Sequence, residues 1–156
     1  MSQSLAKLYS HIVFHVNLTD GILIPENLQP ILHAYIATIS KNQDSPSIIV
    51  GGTNDHIHIL CNLSKNIAAS QLLKELKSSS SKWIKSQSQE YNSNLNEFSW
   101  QKGYAIFSVS ASQIDVLKDY IINQQEHHKK ISFKDEYILF LKKYNVEYNE
   151  EHLWSQ

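Results

Sequence analysis

Two histidines one residue apart, His56-Ile57-His58, are the first grouping in this sequence able to do chemistry. They lie in DHIHILCNL, a β-branched run that reads as a strand, where side chains alternate between faces. His56, His58 and Leu60 therefore share one face, and Ile57, Ile59 and Cys61 the other. Two imidazoles on one face can share a cation; the plainer reading is a pair of half-exposed strand histidines. With 8 histidines in the chain, the spacing alone does not decide between these readings. His11 and His15 are evenly spaced on the first strand-like segment and receive no role.

The second grouping is Tyr120 and Gln124 in IDVLKDYIINQQEHH. Four residues apart on a helix, they project from the same side, on the flank of the apolar stripe Ile114, Leu117 and Ile121. A flanking tyrosine usually packs its ring and leaves its hydroxyl wet. The alternative is a nucleophile. Free tyrosine has a pKa of about 10, so attack at neutral pH needs a cation that polarises a phosphoryl target and stabilises the developing charge. His56, His58 and the Gln124 amide oxygen make an uncharged three-donor site with open positions. Imidazole donors favour Mn²⁺ there and abundance favours Mg²⁺. Asp55 can orient His56 or cap the turn before it, and the turn is the favoured role. His127 and His128 read as surface residues.

Positioning these groups requires a strand from Leu8 to Val16, then a helix opened by Pro25 that carries Leu28, Ile31, Leu32, Tyr35, Ile36 and Ile39 at helical spacing. SIIVGG and DHIHILCNL form a hairpin around Gly51–Asp55. A second helix runs from Ile67 to about Gln87, with Leu72, Leu73, Leu76, Trp83 and Ile84 as its apolar stripe. A polar loop from Ser86 to Asn96 leads to a strand within Trp100–Ser110. A helix from about Gln113 to His128, capped by Ser110 or Ser112, carries Tyr120, and a last helix spans about Phe133 to Tyr144. This order predicts an α+β fold of the ferredoxin-like (RRM-like) split βαβ kind. Its antiparallel sheet has helices on one face and an additional C-terminal helix bearing Tyr120. Ile57, Ile59 and Cys61 should face the helices, leaving the imidazoles on the free face. No linker or repeat divides the chain, so residues 1–156 are expected to form one domain.

A hydrophobic content of 42% supports one core. The single cysteine, Cys61, rules out an internal disulfide framework and suits a reducing compartment. No apolar run has membrane-spanning length, and the N-terminus lacks a signal-peptide pattern, so a cytoplasmic protein without a membrane partner is expected. A net charge of −1 is not that of a protein that coats nucleic acid. All 14 basic residues are lysines, clustered at Lys74, Lys77, Lys82 and Lys85, at Lys129, Lys130 and Lys134, and at Lys142 and Lys143. Without arginine, bidentate reading of guanine is excluded, which leaves lysine–phosphate contacts, backbone groups and stacking, with Trp100 and Tyr104 as stacking candidates.

In this order GGTNDHIHIL, LLKELKSSSSKWIK, WQKGYAIFSVS, YIINQQEHHKK and SFKDEYILFLKKYNVEY resemble the landmarks of the single-tyrosine HUH transposases of insertion sequences, the IS200-like family. The resemblance runs from about Ser4 to Trp154. It implies His56, His58 and Gln124 as metal ligands, Mg²⁺ or Mn²⁺ as the ion, and Tyr120 as the nucleophile. It implies nicking and rejoining of hairpin-bearing single-stranded DNA through a 5′-phosphotyrosine, by a homodimer whose subunits share active sites. Lys74, Lys77, Lys82 and Lys85 are then the expected DNA contacts, although the family commonly has arginine where Lys82 stands. Two alternatives are a domesticated relative acting on chromosomal repeat hairpins, and a non-catalytic nucleic-acid-binding module of the same fold.

Overall fold

Alternation along the strands sorts the sheet into two faces, each with its own core. The structure, a computed structural model, describes residues 2–154. Strands β1 (Tyr9–His15), β2 (Ser47–Gly52), β3 (His56–Asn62) and β4 (Ala105–Ser108) form an antiparallel sheet in the order β2-β3-β1-β4. With helices α1 (Gln29–Asn42) and α2 (Ala69–Ser86) crossing between strands, this is the expected α+β split βαβ arrangement. Pro30 opens α1, and Asp44, at φ 55°, turns the chain out of it. α1 and α2 press Leu32, Ile36, Leu72, Leu73 and Leu76 against Ile12, Phe14, Ile57, Ile59 and Cys61. Each such burial contributes about 1.5–3 kcal/mol. Trp100 belongs to this core, edge-on to Phe14 and Phe98, and its indole N–H donates to Ser80 Oγ at 3.0 Å. Its base-stacking candidacy ends there, whereas Tyr104 is 37% exposed.

The opposite face is covered as well. Helices α3 (Ile114–Ile122), α4 (Gln124–His127), α5 (Phe133–Lys143) and α6 (Glu150–Leu153) complete the described chain. Phe133, Tyr137 and Leu141 of α5 fall on one stripe and seat on Val13, Ala105 and Phe107. The face that the sequence reading left free is therefore occupied, because β1 and β4 offer α5 an apolar bed. Ser132 caps α5 by accepting from the Asp135 N–H at 3.2 Å, and Lys142 and Lys143 complement its C-terminal end.

The helix expected from Gln113 to His128 is divided. Asn123 has ψ 21°, and its side-chain amide donates back to the Asp119 carbonyl at 2.9 Å, a bond that competes with helix continuation. The Ser110 and Ser112 hydroxyls bond each other at 3.0 Å rather than cap α3. α3 approaches β2 closely at Gly51, where an added Cβ would meet the Ile121 carbonyl oxygen and Cγ2 at 2.8 Å each.

Candidate metal centre

β3 places His56 and His58 on the face beneath α5, and neither has any exposed surface. The His56 Nδ1–H donates to Asp55 Oδ1 at 2.6 Å, and the Thr53 hydroxyl donates to the same oxygen at 2.9 Å. Asp55 thus does both jobs the sequence offered it, orienting the imidazole and closing the turn. Burial pushes its carboxyl up, but the His56 hydrogen bond and charge outweigh that and hold it below its usual range. His58 Nδ1 lies 2.8 Å from His11 Nε2, with the two rings stacked, so a residue given no role in the sequence reading orients the second imidazole.

The break at Asn123 delivers Gln124, 1% exposed, to these histidines. Its Nε2 donates to the Tyr120 carbonyl at 3.4 Å and to Glu136 Oε2 at 3.3 Å, which fixes the amide orientation. Its Oε1 then lies 2.9 Å from His56 Nε2 and 3.0 Å from His128 Nε2. With Nδ1 turned to Asp55, the His56 ring presents Nε2 toward the Gln124 oxygen. The imidazole nitrogens and the amide oxygen thus converge closely enough to share a cation.

Glu136, on α5 and 2% exposed, is the central group that sequence reasoning missed. Its Oε1 lies 2.9 Å from His58 Nε2 and 3.7 Å from His56 Nε2, and its Oε2 lies 3.1 Å from His128 Nε2. The Tyr120 hydroxyl donates to Oε2 and lies 3.0 Å from His127 Nε2. Burial alone would raise the Glu136 carboxyl, yet hydrogen bonds from His128 and His58 hold it well below its usual range. Burial, then the bond and charge of Glu136, push the Tyr120 phenol above its ordinary value. Glu136 also outweighs burial at His128 and raises it. One ligand atom from each of His56, His58, His128 and Glu136 lies within 4.8 Å of the others, so these residues fit a metal ion. A signal for Glu136 was present, since it falls beside Phe133, Tyr137 and Phe140 on the apolar stripe of α5, and a buried carboxylate needs partners.

The structure brings His56, His58, Gln124 and Tyr120 together within one chain. Lys74, Lys82 and Lys85 are exposed on α2, across the sheet from the centre. Lys77 is half-buried, donates to the carbonyls of Gln101 (2.8 Å) and Gly103, and is lowered to about 8 by burial.

Two expectations follow from this geometry. Asp55→Asn and His11→Phe should each weaken metal affinity about 10- to 100-fold, read by metal titration, because each removes the partner that orients a ligand histidine. Acid should also destabilise the fold. Burial lowers both His58 and His15 to about 4 from 6.5. The unfolded chain therefore takes up these protons first as pH falls below 6.5. Stability should drop by roughly 1 kcal/mol per pH unit for each between pH 6.5 and 4, partly offset by the raised His128. Thermal unfolding at pH 7 and pH 5 checks this, and the two histidines predict no loss between pH 7 and 8.

A split βαβ sheet here carries a histidine–carboxylate group beside a helical tyrosine. The family described as "Transposase IS200 like" matches residues 4–124, and the chain belongs to that family. A putative transposase from Deinococcus radiodurans R1 superposes with TM-score 0.55 and 20% identity, over 80% of this chain and 98% of that one. A REP-associated tyrosine transposase bound to a REP hairpin superposes with TM-score 0.52 and 13% identity, over 84% of this chain and 74% of its own. No curated protein matches the sequence. Among the described residues, no helix is long and apolar enough to cross a membrane.

Proposed function

We propose that this transposase nicks and rejoins single-stranded DNA by transesterification at hairpin-bearing element ends, with Tyr120 as the nucleophile. The observation that carries this reading is the Glu136 carboxylate, which bonds the Tyr120 hydroxyl through one oxygen and His58 through the other. This contact supports Tyr120 as the group that acts beside the proposed metal ligands. His56, His58 and Gln124 would hold Mg²⁺ or Mn²⁺, which when bound polarises the scissile phosphate. The Tyr120 oxygen attacks phosphorus with Glu136 Oε2 orienting its hydroxyl, and water takes the phenol proton. The P–O3′ bond breaks, and the departing oxygen takes a proton from water. The products are a 5′-phosphotyrosine and a 3′-hydroxyl. A second 3′-hydroxyl reverses the step, giving its proton to water as the Tyr120 oxygen regains one. Phosphodiester energy is conserved in the tyrosine link, so the reaction needs no nucleotide cofactor.

Lys74, Lys82 and Lys85 are assigned to phosphate contacts, while Lys77 is spent on the carbonyls it holds. The hairpin bound by the REP-associated relative supports a hairpin partner here. The reading takes the protein as a cytoplasmic homodimer. The buried histidines require α5 to lift when DNA enters. The test incubates the protein with single-stranded DNA from the ends of its own element, with Mn²⁺ or Mg²⁺. A covalent protein–DNA adduct that chelator prevents is expected, and absence of any adduct sinks the assignment.

A further inference from the structure

The family match ends at residue 124, and two of the groups that surround the centre lie beyond it. His128 follows α4, and Glu136 is on α5. Glu136 approaches His58 as closely as Gln124 approaches His56, and the His128 ring lies 4.4 Å from that of His56, centroid to centroid. His58 Nε2 to Glu136 Oε1 is 2.9 Å, His128 Nε2 to Glu136 Oε2 is 3.1 Å, and His56 Nε2 to Glu136 Oε1 is 3.7 Å. Four donors around one ion at about 2.1 Å would lie roughly 3.4 Å apart in a tetrahedron, so small side-chain shifts suffice. Glu136 is nearly fully buried, and its recorded partners are imidazoles, a phenol and an amide, with no lysine among them. A buried carboxylate in such company is well matched by a cation.

The composition of this set selects among cations. Three imidazole nitrogens and one carboxylate suit a borderline transition metal. Mg²⁺ prefers oxygen donors in an octahedron and keeps several waters, for which a site enclosed by four side chains has little room. We propose that His56, His58, His128 and Glu136 form a three-histidine, one-carboxylate site that takes a transition-metal cation, Mn²⁺ or Zn²⁺, in preference to Mg²⁺ in the DNA-free protein. The inference deepens the metal-centre part of the functional reading and is independent of the role of Tyr120.

The full chain, freed of metal by chelation, is titrated with Mn²⁺, Zn²⁺ and Mg²⁺ and followed by calorimetry and thermal unfolding. Mn²⁺ and Zn²⁺ should bind at one ion per chain and raise Tm by roughly 5 °C at a hundredfold excess over Kd, with Mg²⁺ producing no shift. Glu136→Gln and His128→Asn should each weaken Mn²⁺ binding at least tenfold. His128 is only partly buried, so its replacement keeps the test open if the Glu136 variant folds poorly. Co²⁺ supplies a second readout. The wild type should show the intense visible absorption of a tetrahedral site, and His128→Asn should lose it. Binding of Mg²⁺ as tight as that of Mn²⁺, or unchanged Mn²⁺ affinity in both variants, overturns the proposal. Metal binding as expected with no DNA adduct would instead count against the nicking reaction alone.

Discussion

Replacing Tyr120 with phenylalanine is expected to abolish the covalent protein–DNA adduct while leaving the fold and the metal centre in place. The change removes one oxygen atom. Glu136 keeps His58, His128 and Gln124 as partners, so no buried carboxylate is left bare. The stability cost should stay near about 1 kcal/mol, as for one hydrogen bond. Activity should fall by a factor of about 10⁴ or more, since the hydroxyl that would form the phosphotyrosine is gone. Denaturing gels with end-labelled single-stranded DNA read the adduct, and metal titration reads the centre. An adduct formed by the phenylalanine variant would move the nucleophile elsewhere.

The second large effect is expected at Gly51, the cross-strand partner of His58. A Cβ there would stand 2.8 Å from both the Ile121 carbonyl oxygen and Cγ2. Backbone cannot rotate aside as a long side chain can, so α3 must move off β2. Gly51→Val should therefore cost about 1–3 kcal/mol and shift the neighbours of Ile121, Tyr120 among them. A displacement of about 1 Å at a nucleophile can cost roughly a hundredfold in rate. Comparison of adduct formation with thermal stability separates the two losses. A variant with a lowered Tm that is still fully folded at the assay temperature, yet forms sharply less adduct, would show α3 placement at work, and full activity would rule it out.

Much of this arrangement was legible because it follows short periodicities. Strand alternation put His56 and His58 on one face and Ile57, Ile59 and Cys61 on the other, as the two cores show. The i, i+4 spacing brought Gln124 near Tyr120 despite the break at Asn123, since the backbone leaves helical geometry by one residue only. What escaped were pairings between distant segments. Glu136 and His58 are far apart in sequence, and nothing local tells a carboxylate on an apolar stripe which strand it will meet. His128 read as surface because it stands in a charged HHKK run, yet the turn after α4 points it inward at Gln124. His11 was visible as an evenly spaced strand histidine, but only the register of β1 against β3 puts its Nε2 on His58 Nδ1.

The two faces of the sheet carry unequal cores, and this inequality sets an order of release. α1 and α2 share a broad core that reaches Leu95, Phe98 and Trp100, whereas α5 rests on a narrow seat centred on Phe133, Tyr137 and Leu141. Local opening free energy scales with the apolar contact that must be given up, so α5 should detach well before the sheet loosens. Its amide hydrogens should then exchange with solvent sooner than those of β1 and β3. The histidines would be uncovered by a rare excursion that leaves the remainder of the molecule folded. Reaction frequency could in that case be set by how often one helix leaves its seat, a quantity tuned by substitutions that never touch a donor atom.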